Sequence, residues 1–283
     1  MTTTQATPAT AAAAPSASPQ HASFLRQVVT LTRRNLTHIK RQPEMLSDVT
    51  IQPVMFVLLF AYVFGGSIQT DGSGYREWLL PGIMAQTMAF SAFVVAFGLS
   101  NDLTKGVIDR FRSLPISRGS VLVAHSTSSL IHSTLGVLVM SATGLVVGWR
   151  IRGSFLEALG GYALLMLFGF AMIWLGILVG SAMRSVEGVN GVIFTTIFPL
   201  TFLANTFAPS ENMPHWLRVI AEWNPMSALV QSMRNLWGNG GPPAPDAQWP
   251  LHHPILATVV WAVVITAVLA PLAMNAYRAR TRD

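Results

Sequence analysis

The sequence predicts an all-α membrane protein: six transmembrane helices, an N-terminal amphipathic interface helix, and short helical turns between the fifth and sixth spans. Three observations carry that prediction. Only 11% of the residues are charged and 51% are apolar, whereas a soluble domain carries about 25% charge. Six apolar runs each reach or approach the roughly 20 residues that cross a hydrocarbon core as α-helix. The basic residues are shared unevenly between the connections on the two sides, which is the pattern that orients spans.

Residues 1–23 are Thr, Ala, Pro and Ser with no Lys, Arg, Asp or Glu. Such a segment cannot bury enough apolar surface to order itself, so it reads as a disordered cytoplasmic tail. It lacks the basic start and apolar stretch of a secretory signal. From 24 to 42 the pattern changes. At 100° per residue, Leu25, Val28, Val29, Thr32, Leu36 and Ile39 share one face. Arg26, Arg33, Arg34, Lys40 and Arg41 lie on the flank and the opposite side. This is the form of a helix lying in the membrane interface with its cations toward anionic headgroups.

Residues 43–283 form the transmembrane domain, with spans at about 49–68, 79–99, 120–147, 156–183, 189–207 and 255–274. The third and fourth runs are long enough to tilt or project. No charge falls in the interior of any span, which weakens a proton-coupled mechanism. Glycine pairs at four-residue spacing, Gly144 with Gly148 and Gly176 with Gly180, would let helices approach closely. With the N-terminus inside, 13 of the 18 Lys and Arg residues are cytoplasmic and 5 are outside. That bias places both termini in the cytoplasm of a multi-pass cell-membrane protein. It also accounts for the pI near 10.5 without nucleic acid as a partner. The connection from 208 to 254 holds Met213-Pro214-His215-Trp216 and Trp223-Asn224-Pro225-Met226. Indole prefers the headgroup zone, so these are helical turns at the outer interface. Residues 238–245 (GNGGPPAP) read as an exposed loop.

The chemistry-bearing motifs are few. A phosphate-binding loop needs Gly-Lys followed by Ser or Thr, and the only lysines, Lys40 and Lys105, precede Arg41 and Gly106. The chain is therefore not itself an ATPase and holds no cofactor; if ATP drives it, another chain binds the nucleotide. There is no cysteine, so thiolate sites are excluded. His125 and His132 lie on nearly one face of the third span beside Ser126, Ser129 and Ser133. No further ligand accompanies them, so they read as a polar seam facing other helices or a water-filled path, not as a metal site. The 101–118 loop puts Asp102, Lys105, Asp109 and Arg112 on one polar stripe, and Pro115 ends its short helix. Val107, Ile108, Phe111 and Leu114 are apolar in an otherwise solvated loop. Two readings stand: a docking knob for a partner, or a basic loop that only sets topology.

At this loop the chain resembles the membrane subunits of type-2 ABC exporters, particularly the daunorubicin-resistance-like permeases. Asp102, Lys105, Gly106, Asp109, Arg110, Phe111, Arg112, Ser113, Leu114, Pro115 and Ile116 match the acidic-x-x-x-Gly-x-x-x-Arg-x-x-x-x-Pro pattern that follows the family's second span. A later match runs through Met213-Pro214-x-Trp216, Asn224-Pro225-Met226, Arg234 and Gly238. Together they cover about 24–282. The family often has Glu and Gly-Thr where this chain has Asp102 and Gly106-Val107, a mild departure.

The resemblance implies a role for each segment. The loop would be the coupling helix that enters an ATPase subunit, through Asp102, Lys105, Gly106, Asp109, Arg110, Phe111, Arg112, Leu114 and Pro115. The 24–42 helix, with Arg33, Arg34, Lys40 and Arg41, would touch the same ATPase. Pro214, Trp216, Asn224, Pro225 and Arg234 would belong to re-entrant or short helices closing the outer mouth. The second and fifth spans would line the path, with Gln86, Ser91, Asn205 and Thr206 as candidates. The assembly would hold two ATPase chains, which bind ATP and Mg, and two membrane chains as a homodimer or related heterodimer in lipid. Its cargo would be a small hydrophobic or amphipathic compound: a drug, an antibiotic or a lipid. The alternatives are a glycan-exporting permease of the same family, or a secondary carrier with no ATPase.

Overall fold

The computed structural model describes residues 23–41, 47, 51, 54–64, 74–104 and 117–280, apart from the side chains of 38–41, 64 and 118. Among the described residues every regular element is helical. In chain order these are α1 (Phe24–Arg41), α2 (Val54–Val63, ending in a π-helical turn over Phe60–Phe64), α3 (Tyr75–Thr104) and α4 (Arg118–Val147). Then follow α5 (Phe155–Ala182), α6 (Val186–Phe202), α7 (His215–Trp223), α8 (Pro225–Trp237), α9 (Trp249–His252) and α10 (Pro254–Arg280). Helices α3, α4, α5 and α10 are long and apolar enough to cross a membrane, while α2 and α6 are shorter.

Local chemistry sets most helix ends. Ser117 opens α4 by accepting from the Ser120 amide at 3.2 Å, and Gly148 closes it in the left-handed region at φ 106°. Ser154 and Glu157 form a reciprocal capping box on α5. That is why an acidic residue stands at the edge of the fourth apolar run: it satisfies orphan backbone donors and lies outside any pathway.

The fifth apolar run departs from expectation. Helix α6 stops at Phe202, and 203–209 are irregular. The carbonyls here are taken by side chains from α8 and its cap. The Asn224 amide donates to the Leu200 carbonyl at 2.8 Å, and Arg234 Nη2 donates to the Asn205 carbonyl at 3.0 Å. With those acceptors satisfied, the backbone can leave the helix without orphaned groups. The first run, expected over 49–68, is described only in part, as α2.

Helix α5 is central, packing most extensively on α3 and α10. Lipid is as apolar as leucine, so close fit drives such contacts in a bilayer. The glycine spacing provides that fit at one of its two occurrences. A Cβ at Gly176 would lie 2.2 Å from the Ala92 carbonyl oxygen, and one at Gly180 would lie 2.6 Å from that of Ala96. Gly144 and Gly148 do not act as a pair. A Cβ at Gly144 would strike the Leu80 side chain, and Gly148 is a helix cap.

Residues 203–253 fold over one end of the bundle, here called the cap. Trp149, Trp237 and Tyr162 pack beneath it, with ring centroids 5.0–5.4 Å from Trp237. The opposite end carries α1, which packs along α4.

Candidate functional site

Between α2, α3, α4 and α6 lies a cavity of about 390 Å³. Its walls combine phenyl rings, Phe56, Phe90, Phe93 and Phe194, with polar groups, Gln86, Ser91, His132 and Asn190. Among the described residues no Asp, Glu, Lys or Arg lines it. Ser91 donates to the Met88 carbonyl at 2.6 Å and Thr87 to the Ile83 carbonyl at 3.1 Å, so these hydroxyls turn partly into their own helix.

An arc of six stacked rings starts at one wall and returns to another. It runs Phe56–Phe60–Phe207–Phe202–Phe198–Phe194, with successive centroids 4.2–5.8 Å apart. The α6 members remain 41–55% exposed, so this face is open on the side away from α3.

Of the expected path residues, Gln86 and Ser91 line this cavity. Asn205 and Thr206 do not. They belong to the cap because α6 ends before reaching them, and their carbonyls accept from Arg234 at 3.0 and 3.4 Å. The seam on α4 also divides. His132 and Ser133 face the cavity, whereas His125 Nε2 lies 3.3 Å from Asp102 Oδ2 at the far end of the bundle.

That end holds the stems of the 101–118 loop. Lys105, Gly106, Asp109, Arg110, Phe111, Arg112, Leu114 and Pro115 lie outside the described residues. So do the side chains of Lys40 and Arg41. Both stems nevertheless meet α1. On the α3 side, Asp102 lies 3.8 Å from Arg34. On the α4 side, the Gln27 side-chain oxygen Oε1 accepts from the Ser117 amide at 3.0 Å and from the Ser120 hydroxyl at 3.1 Å. Asn35 donates to Ser128 at 3.3 Å.

The cap is built around Arg234, which is 1% exposed. Its Cζ sits 3.5 Å from the centroid of Trp78, and Nε donates to the Trp78 carbonyl at 3.0 Å. One guanidinium thus joins α8, the start of α3 and the chain after α6, by cation–π contact and by charge-assisted hydrogen bonds. Asn224 opens α8 by accepting from the Met226 amide at 2.9 Å, with Pro225 in the first turn where no amide donor is required. Pro214 immediately precedes α7, and Trp216 is 67% exposed at the rim.

A second polar group fastens the rim. Arg218 donates to Glu222 at 2.7 Å and bidentately to Asp246 at 2.8 and 2.9 Å. Glu222 also accepts from Ser210 and from the Gln248 amide. The bonds from Arg218 hold the Asp246 carboxyl below the usual carboxylate range, and those to Asp246 and Glu222 raise Arg218 further. Asn239 links the cap to the α4–α5 turn, accepting from Trp149 Nε1 and donating to the Arg150 carbonyl, each at 2.8 Å. Sequence reasoning missed the phenyl arc, Asn190 and this clasp. The i, i+4 spacing of Phe194, Phe198 and Phe202 was a readable signal for the first.

An all-helical multi-pass membrane bundle with an internal cavity, a fastened cap and two loop stems tied to one amphipathic helix has the make-up of a transport permease. Residues 26–236 match the ABC-2 type transporter family, and the chain belongs to it. It is 31% identical over 261 residues to the daunorubicin resistance ABC transporter permease protein DrrB1 of Streptomyces coeruleorubidus, covering 92% of this chain and 89% of the relative. It is 25% identical over 257 residues to the doxorubicin resistance ABC transporter permease protein DrrB of Mycobacterium tuberculosis, covering 88% and 89%. The protein is therefore a membrane permease of an ABC transporter system, in which a separate ATPase supplies the power.

Proposed function

We propose that this permease carries a hydrophobic or amphipathic compound outward through the cavity between α2, α3, α4 and α6. The observation that carries the reading is the lining of that cavity: phenyl rings with hydrogen-bonding groups and, among the described residues, no Asp, Glu, Lys or Arg. Such walls suit a flat, partly aromatic molecule with a few polar substituents. They suit a hydroxyl-rich glycan less well. Two curated relatives are named for resistance to daunorubicin and doxorubicin, which supports cargo of this kind.

In this reading the α1 end faces the cytoplasm, because most of the basic residues collect on that side. The 101–118 loop enters a cleft on the ATPase with Phe111 and Leu114 as apolar anchors. ATP and Mg are bound by that partner. Two ATPase chains serve two membrane chains, identical or related. The exposed phenyl face of α6 is turned toward the second membrane chain, so that each cavity opens onto a shared path. Closure of the ATPase pair moves both loop stems, and α1 moves with them because Gln27 and Arg34 hold the two stems.

The test is reconstitution of the chain with its ATPase in proteoliposomes, following a fluorescent planar amphiphile. ATP-dependent movement that survives an ionophore is expected. Gly136→Trp, which fills the cavity from α4, should abolish movement while the ATPase still co-purifies. Movement that needs an ion gradient and no ATP would overturn the reading in favour of a secondary carrier.

A further inference from the structure

We propose that the groove between α1 and α4 is a binding site for one anionic phospholipid per chain. The groove encloses about 400 Å³ and opens to the outside of the bundle. Its floor is made by Val28, Val29 and Leu36 on α1 and Thr127 on α4, and Arg33 stands on its edge. An acyl chain matches the floor, and a phosphodiester matches the guanidinium.

The threonines of the groove point the same way. Thr37 donates to the Arg33 carbonyl and Thr127 to the Val123 carbonyl, each at 2.8 Å, so both turn their hydroxyls into their helices and present methyl groups. Thr32 lines the groove at 8% exposure, and its hydroxyl has no hydrogen-bond partner among the described residues. A buried hydroxyl without a partner costs free energy unless an acceptor arrives. The glycerol esters and phosphate of a lipid are acceptors. Residues 1–22 contain no Asp or Glu that could pair with Arg33. A lipid in this groove would bridge the helix that ties the loop stems to the span it packs on, and would thereby help hold α1 in register.

The inference rests on α1 lying in the membrane interface, and its test needs neither the ATPase nor transport. The purified full chain is exchanged from detergent with phosphatidylglycerol or phosphatidylcholine of equal acyl chains, and bound lipid is counted by native mass spectrometry. One phosphatidylglycerol per chain should be retained where phosphatidylcholine is lost. Arg33→Gln should weaken that retention about tenfold, the scale of one charge-assisted hydrogen bond. Arg26→Gln, two turns away along the same face and outside the groove lining, should change it less than about twofold. Thr127→Trp, which fills the groove, should remove retention while the chain elutes as a monodisperse species. Millimolar inorganic phosphate should not displace the lipid, and deletion of residues 2–22 should leave binding unchanged. Equal losses for Arg26→Gln and Arg33→Gln would reduce the effect to diffuse surface attraction and overturn the site. So would lipid retained by the folded Thr127→Trp chain, displacement by phosphate alone, or tighter lipid binding after the deletion.

Discussion

At the cap, Arg234, Glu222 and Asn239 are each almost fully buried, and each makes several hydrogen bonds to different elements. At the α1 end, the polar contacts of α1 described above fall on Gln27, Arg34 and Asn35, beside the His125–Asp102 contact between α4 and α3, and the Arg34–Asp102 pair is 3.8 Å apart with both side chains partly exposed. Buried charge-assisted networks are costly to break, whereas exposed pairs contribute about 0–1 kcal/mol. Among the described residues, the bundle is thus fastened by buried polar groups at one end and by partly exposed ones at the other. Force applied at the loop stems can displace α1 and the lower halves of α3 and α4 while the cap keeps its arrangement. Between the two ends, α3 and α5 are interlocked at Gly176 and Gly180.

The largest expected effect breaks the strong end. Arg234→Met leaves the carbonyls of Trp78, Asn205 and Thr206 buried without their donor, at a cost of about 3–5 kcal/mol. Thermal unfolding in detergent should show it as a large fall in midpoint or as loss of folded protein. A wild-type midpoint would mean the cap does not depend on this residue.

Next comes the strut. Gly176→Val forces a Cβ onto the Ala92 carbonyl and should cost about 1–3 kcal/mol through separation of α3 and α5. Adding Ala92→Gly should not rescue it, because the obstacle is backbone. Full rescue would show that the two helices are not locked at this point.

A smaller effect is expected at the rim. The folded Asp246 carboxyl is held low, so its contribution is present above the ordinary aspartate value of about 3.9 and is lost as pH falls through the lower folded value. Asp246→Asn should therefore lower the unfolding midpoint by a constant amount from about pH 5 to pH 8, with the gap to wild type closing below about pH 4. A gap that widens in acid would reverse the assignment.

The smallest stability effect belongs to the weak end. Asp102→Asn should shift unfolding by no more than about 1 kcal/mol, yet it should reduce ATP-driven transport several-fold by freeing α1 from the α3 stem. Retained transport would show that this tie carries no motion.

The long helices were legible in the sequence because their causes are local: bilayer-length apolar runs, and Ser, Asn or Gly at their ends. Glu157 was readable too, since Ser-x-x-Glu before an apolar run is a cap. The end of α6 was not. Leu200 and Asn205 surrender their carbonyls to side chains 24 and 29 residues further on, and no window along the chain contains both partners. For the same reason no window of sequence shows that the carbonyls of Asn205 and Thr206 meet Arg234. Gln86 and Ser91 were legible as polar breaks in an otherwise apolar helix. His132 was visible only as half of a seam, because seven residues, about 10 Å along α4, separate it from His125. The Arg218–Asp246 clasp joins residues 28 apart across a loop whose path composition does not encode.

The crowding of aromatic groups at the cap has a spectroscopic consequence. Six of the eight tryptophans, Trp78, Trp149, Trp216, Trp223, Trp237 and Trp249, sit at that end, leaving Trp174 in α5 and Trp261 in α10. Ultraviolet emission from the unlabelled protein is therefore dominated by one pole of the molecule. Trp78 beneath its guanidinium is the fluorophore whose surroundings change most if the mouth opens. Motion confined to the α1 pole would leave the emission nearly unchanged, so the native chain already carries a dye that distinguishes the two movements.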